Sequence, residues 1–223
     1  GYQMNSLVTG AQGFVGKNLV ANLRNIAQGK NRTRPNLHIE EIFAYDLDTD
    51  PALLGEYCAR ADFVFHLAGV NRPQNNEEFM EGNFGFSSTL LETLKKTGNK
   101  CPVLLSSSIQ ATLIGRYGKS DYGRSKLAGE ELFFAYGKEN GAPVLVYRFP
   151  NLFGKWCRPN YNRVVATFCY NLSHDLHIQV NDPSTQLELL YIDDLVEELL
   201  DDLEGHPHRC DYDGLTHISR ESG

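Results

Sequence analysis

The segment from Asn5 to Leu23 restricts the fold of this chain more than any other. Asn5-Ser6-Leu7-Val8-Thr9 is a short, mostly apolar run of strand length. Thr9-Gly10-Ala11-Gln12-Gly13-Phe14-Val15-Gly16 follows it, with glycines three residues apart. Phe14, Val15, Leu19, Val20 and Leu23 then recur at helical spacing. Strand, glycine turn and helix in that order open a parallel α/β sheet. The start of such a helix offers unpaired N–H groups and the positive end of a dipole, which suits a pyrophosphate. Gly10 permits the tight turn, Gly13 lets the backbone approach the phosphates, and Gly16 allows the helix to pack closely on the strand. Gln12, Phe14 and Val15 lie within the same turn and complete the candidate cofactor contacts.

The pattern continues as alternating strands and helices up to Phe149. Strands are expected at Glu41–Tyr45, Asp62–Gly69, Val103–Ser106 and Pro143–Phe149. Helices are expected at Pro51–Ala59, Phe79–Lys96 and Tyr122–Tyr136. Gln28 to Asn36 is polar and basic, contains Pro35, and reads as a solvated loop. Right-handed βαβ units follow from this alternation, so the fold class is a Rossmann-like, doubly wound parallel sheet. Residues 4–150 are expected to form the dinucleotide-binding domain. Residues 151–223 form part of a small substrate-binding lobe, with a helix at Val164–Leu172, a strand fragment at Ile178–Val180 and an acidic amphipathic helix at Ile192–Leu203. Gly1-Tyr2-Gln3 ahead of Met4 reads as an expression remnant.

Asp46 ends the second expected strand. A carboxylate there can accept both hydroxyls of an adenosine ribose, which favours NAD over NADP. Asp48 and Asp50 compete for that role.

Tyr122-Gly123-Arg124-Ser125-Lys126 places a phenol and an ammonium one helical turn apart. A phenol ordinarily titrates near ~10, and a neighbouring ammonium brings it toward the working range of an acid–base catalyst. Lys126 can also bond the ribose of a nicotinamide. Ser106, Ser107 and Ser108 directly follow a buried strand, at the edge where open parallel sheets bind ligands. A hydroxyl there polarises a carbonyl. Tyr117 has Asp121, and not a lysine, four residues later.

The remaining composition removes other classes. The net charge of −7 leaves no broad basic surface for nucleic acid. The five cysteines are an odd number without a CxxC pair, so neither a disulfide framework nor a metal site is expected, and a cytoplasmic location is. Cys58, Cys101 and Cys169 read as buried apolar groups. No apolar run reaches the ~18 residues a membrane span requires.

Taken together, the GxxGxxG turn, the serine run and the YxxxK pair resemble the extended short-chain dehydrogenase/reductases. Asp62-Phe63-Val64-Phe65-His66-Leu67-Ala68-Gly69 resembles their DxVxHxAA strand, and the resemblance implies that Leu67, Ala68 and Gly69 line the cofactor. His66 reads as a core-edge residue. Arg148-Phe149-Pro150-Asn151-Leu152-Phe153-Gly154 resembles their RxxNxxG turn, and Tyr191-Ile192-Asp193-Asp194 a later YVDD segment. In that branch the third residue of the serine run is catalytic, which points to Ser108, with Ser107 as the alternative. Longer segments, LAGVNRP at 67–73, LLSSSIQAT at 104–112 and RFPNLFGKWCRPNYNRVVATFCY at 148–170, resemble bacterial capsular-polysaccharide reductase/epimerases of UDP-N-acetyl-L-fucosamine synthesis. The resemblance implies an NADPH-dependent reduction of a UDP-linked 4-keto-6-deoxy-amino sugar by a homodimer. It implies substrate contacts at Asn71, Arg72, Ser108, Asn151, Arg158 and Arg163. The zinc-binding cupin domain of that family has no counterpart before Gly223, so epimerisation by the cupin is not expected.

Three departures matter. Leu187 stands where the branch usually has an arginine for the diphosphate, and Lys155, Arg158 and Arg163 are the nearby cations that could substitute. Leu113 to Ser120 lengthens the loop before Tyr122. Ile109 and Gln110 replace the Asp-Glu pair that dehydratases carry after the catalytic Ser or Thr. Asp46 argues for NAD and the resembled family for NADPH, so the cofactor is expected to be NAD(P). A 4-epimerase or dehydratase is the alternative enzyme, and a non-catalytic dinucleotide-binding regulatory module the alternative outside catalysis.

Overall fold

The computed structural model describes residues 3–67, 76–149, 164–171, 187–189, 192–205 and 215–216. Five parallel strands, β1 (Gln3–Thr9), β2 (His38–Tyr45), β3 (Phe63–His66), β4 (Val103–Ser108) and β5 (Val144–Phe149), lie in the order β2-β1-β3-β4-β5. The helices α1 (Phe14–Ala27), α2 (Leu53–Arg60), α3 (Asn76–Thr97) and α4 (Asp121–Asn140) form the crossovers. The chain runs outward from β1 to β2 and then returns past β1 to β3. The turn after β1 therefore sits at a topological switch point, where open sheets leave a crevice.

Side chains along the strands alternate strictly between two cores. Val8, Phe63, Phe65, Leu104, Leu145 and Tyr147 face one side, against α1 and the later helix α5 (Ile192–Leu203). Leu7, Val64, Val103, Leu105, Val144 and Val146 face the other, against α2, α3 and α4. Burial on both faces explains why these strands read as unbroken apolar runs. Cys58 and Cys101 belong to the second core and are unbridged, and burial pushes both thiols up to about 12.

Three expectations need correction. The helix expected at Val164–Leu172 is a strand, β6 (Val164–Asn171), antiparallel to β5. Its Val, Thr, Phe and Tyr content favours a pleated sheet, and a short apolar run carries no period that separates the two states. With β7 (Leu187–Leu189) and β8 (Leu215–Thr216), both paired to β6, the sheet is parallel only through β5. β4 continues through Ser107 and Ser108, so the serines lie in the strand and not beyond it. Arg34, in the loop read as solvated, is mostly buried. It donates to Asp201 at 2.8 Å and Glu204 at 3.2 Å and holds α5 against the loop after α1. Ile178–Val180 lies outside the described residues.

Candidate active site

The glycine turn has the geometry that its spacing implies. Gly10 has φ 67°, a left-handed conformation that an L side chain strains, and its carbonyl accepts the Gly13 N–H at 3.0 Å. A Cβ on Gly16 would lie 2.1 Å from the Gly10 carbonyl oxygen, so α1 docks on the turn only because residue 16 has no side chain. Gly13 caps α1 without a side-chain acceptor, and no acidic residue stands in the first turn. No side chain within the first turn of α1 therefore offsets its positive end, which fits a pyrophosphate. Asp46 stands across the turn, with Oδ2 accepting the Gln12 N–H at 2.8 Å and Oδ1 the Leu47 N–H at 2.8 Å. Gln12 Nε2 in turn donates to both carboxylate oxygens of Asp48 at 2.8 Å. Asp46, not Asp48 or Asp50, closes on the turn backbone.

At the carboxyl ends of the strands, the apolar alternation gives way to polar groups on the α3/α4 face. Thr9 on β1, His66 on β3, Ser107 on β4 and Arg148 on β5 all continue the parity of that face. His66 is buried, with Nδ1 2.6 Å from Thr9 Oγ1 and Nε2 3.0 Å from Ser87 Oγ on α3. Its ring stacks on Phe133 at 5.4 Å. Burial, assisted by the Lys126 charge, pulls its pKa down to about 3, so the imidazole is neutral through the physiological range. This agrees with its reading as a core-edge residue.

Ser107 Oγ donates to Glu130 Oε2 at 2.7 Å, and Glu130 is held by the Arg148 guanidinium at 2.7 and 2.9 Å. Arg148 is fully buried and Glu130 is 2% exposed. An isolated charge at that depth would be prohibitively desolvated, so each requires the other.

Lys126 stands between these two groups. Ser120 accepts the Gly123 N–H at 2.9 Å and caps the helix that carries it. A Cβ on Gly123 would lie 2.4 Å from the Gln110 carbonyl, so the first turn of α4 lies directly on the 3-10 turn Ile109–Thr112 that follows β4. Lys126 Nζ lies 5.4 Å from the centroid of the Tyr122 ring. Lys126 is 8% exposed, and burial brings its pKa down to about 8, with Glu130 opposing the change. A small cleft opens beside it, lined by His66, Phe84, Ser87, Ser106, Ser107 and Lys126. Ser108, at the last position of β4, accepts the Gln110 N–H at 3.1 Å. Ser107 directs its proton to Glu130.

The structure gathers Gly10, Gln12, Gly13, Phe14, Val15, Gly16, Asp46, Leu67, Ser108, Tyr122 and Lys126 along one edge of the parallel strands. Ala68, Gly69, Asn71, Arg72, Asn151, Lys155, Arg158 and Arg163 lie outside the described residues. Tyr117 is set apart in a 3-10 turn, where its hydroxyl accepts from Arg116 at 2.7 Å. Glu130 and the pairing role of Arg148 escaped the sequence reading. Their signals were an acid one turn beyond Lys126 on the inward face of α4, and an arginine inside an apolar strand. Among the described residues, no group of three or more metal-ligating side chains occurs, and no helix is long and apolar enough to cross a membrane.

Comparison with known proteins identifies the family. A reductase from Pseudomonas aeruginosa named UDP-2-acetamido-2,6-beta-L-arabino-hexul-4-ose reductase is 42% identical over 202 residues, covering 91% of this chain and 50% of that protein. The capsular polysaccharide assembling protein CapF of Staphylococcus aureus is 37% identical with a TM-score of 0.62, over 98% of this chain and 54% of that one. A UDP-glucuronic acid 4-epimerase from Bacillus cereus, solved in complex with NAD, is 19% identical with a TM-score of 0.58, over 99% of this chain and 79% of that one, and shares the fold. The chain thus spans about half the length of the first two relatives. Residues 6–204 match the model of the NAD dependent epimerase/dehydratase family, and the chain belongs to that family, whose cofactor is a nicotinamide dinucleotide.

Proposed function

We propose that this chain reduces the 4-keto group of a UDP-linked 2-acetamido-2,6-dideoxy sugar in the synthesis of a capsule or surface polysaccharide. The observation that carries the reading is the Tyr122–Lys126 pair on α4, set beside the same strand edge as the Gly10 turn. Family resemblance and the 42% identical reductase supply the substrate class.

Gly10 to Gly16 and the start of α1 would hold the pyrophosphate, and Asp46 the adenosine ribose. The nicotinamide supplies or takes up hydride when bound. Ser108 donates a hydrogen bond to the substrate carbonyl and stabilises the charge that develops on its oxygen. Tyr122 gives its phenolic proton to that oxygen, and the Lys126 ammonium stabilises the phenolate left behind. Asp46 favours NAD, whereas the resembled capsular enzymes favour NADPH. In this reading residues 4–150 form the dinucleotide-binding half, residues 151–223 part of the substrate half, and two copies pair in the cytoplasm. Sedimentation checks the pairing.

The test is to mix the purified chain with a UDP-4-keto-6-deoxy-amino sugar and follow the absorbance of NADH and NADPH separately. Stoichiometric oxidation of one or both is expected. Tyr122→Phe lowers kcat by about 10²–10⁴ while leaving dinucleotide binding in place. Loss of neither coenzyme's absorbance would remove the reductase reading. An epimerase would convert sugar without net coenzyme consumption.

A further inference from the structure

We infer that Glu130, clamped by Arg148 and Ser107, is a positioning residue for Lys126. It supplies the buried counter-charge that keeps the lysine an ammonium beside Tyr122. Tyr122, Lys126 and Glu130 are four residues apart in turn, so all three fall on one side of α4. Three hydrogen bonds from Arg148, at 2.7, 2.9 and 3.2 Å, and one from Ser107 at 2.7 Å fix the carboxylate. β4 and β5 anchor these donors, with Ser107 opposite Arg148 in the register.

A carboxylate used only to neutralise Arg148 could come from anywhere along the buried face. Glu130 comes instead from the helix that carries the phenol and the ammonium, one turn beyond the latter. It therefore fixes the charge on Lys126 and the seating of α4 together. The groups around Lys126 agree with this assignment. On its own helix these are Tyr122 and Glu130; β3 brings His66, which is neutral, and β5 brings Arg148, a second cation that shares the Glu130 carboxylate. From α3, Phe84 and Ser87 line the cleft and neither titrates in the working range. Among these groups Glu130 is the acidic one and the one that raises the lysine's proton affinity against its burial.

The inference concerns an ammonium whose use depends on the proposed reductase reading, so its test begins without coenzyme or substrate. The titration of Lys126 is followed by ¹³Cε NMR of lysine-labelled protein, with the signal assigned by its loss in Lys126→Arg. In Glu130→Gln the midpoint is expected to fall by about one pH unit or more below that of the unmodified chain. Glu130→Gln leaves Arg148 buried without its partner, so Glu130→Gln/Arg148→Met is measured in parallel as a neutral replacement of the pair. The double variant is also expected to show a lowered midpoint. Glu130→Asp restores part of the shift. An unchanged Lys126 midpoint in either folded Gln variant overturns the inference, whatever happens to turnover. With sugar substrate, the basic limb of the kcat profile is expected to move to lower pH by the same amount. Absence of turnover in the unmodified chain would instead strike at the reductase reading and leave the titration result standing.

Discussion

Lys126 is the residue at which the proposed function and stability oppose one another. Its folded pKa of about 8 lies below the ordinary 10.5, so keeping it charged at neutral pH costs on the order of 3 kcal/mol against an exposed lysine. The native state binds fewer protons than the unfolded chain between those two values. The penalty is therefore complete below about pH 8 and fades as the pH rises toward 10.5. Lys126→Met is expected to abolish turnover and raise unfolding stability at neutral pH by about 1–3 kcal/mol, an advantage that shrinks above pH 8 in urea titrations. His66 acts at the acid end. Its folded pKa of about 3 lies below the ordinary 6.5, so the unfolded chain takes up a proton first as the pH falls through 6.5. Stability is expected to drop by about 2 kcal/mol between roughly pH 7 and pH 5 from this residue, and His66→Gln, which cannot charge, is expected to lose that part of the slope in thermal melts.

At the scale of elements, the phosphate turn depends on contact between two backbones. The Gly10 carbonyl occupies the space that a Cβ on residue 16 would need. Gly16→Ala is expected to lift α1 from the turn, costing about 1–3 kcal/mol and weakening dinucleotide binding at least about tenfold, as calorimetry would show. Binding at the unmodified level would mean that the helix start contributes little to the grip. This motif was legible in the sequence because every part of it lies within one strand, one turn and one helix. The Tyr122–Lys126 pair was legible for the same reason. The Glu130–Arg148 pair was not, because its partners lie on α4 and β5 and meet only after the sheet has formed. β6 was misread because Val164 to Tyr170 is apolar without a period, and its pairing with β5 decides its state. That Ser107 turns its hydroxyl toward Glu130 could be seen only once the strand extended to the end of the run and fixed its parity.

At the scale of the whole molecule, the sheet divides two duties between its faces. The row from Thr9 to Arg148 lies on the α3/α4 side, while α1 and α5 cover the other with Leu19, Leu23, Leu195, Leu199 and Leu203. Leu199 is completely buried in that second layer, away from the polar row. Leu199→Ala is expected to cost about 2–5 kcal/mol in denaturant unfolding while leaving kcat per folded molecule unchanged. A loss of kcat in the folded fraction would show that the back layer also shapes the cleft. α5 begins at Ile192, long after β5 ends at Phe149. During synthesis on the ribosome, the five parallel strands therefore emerge well before the helix that seals their rear. Until it arrives, Leu104, Leu145 and Tyr147 face water or a chaperone, and a nascent chain stalled in that interval would be especially prone to clump.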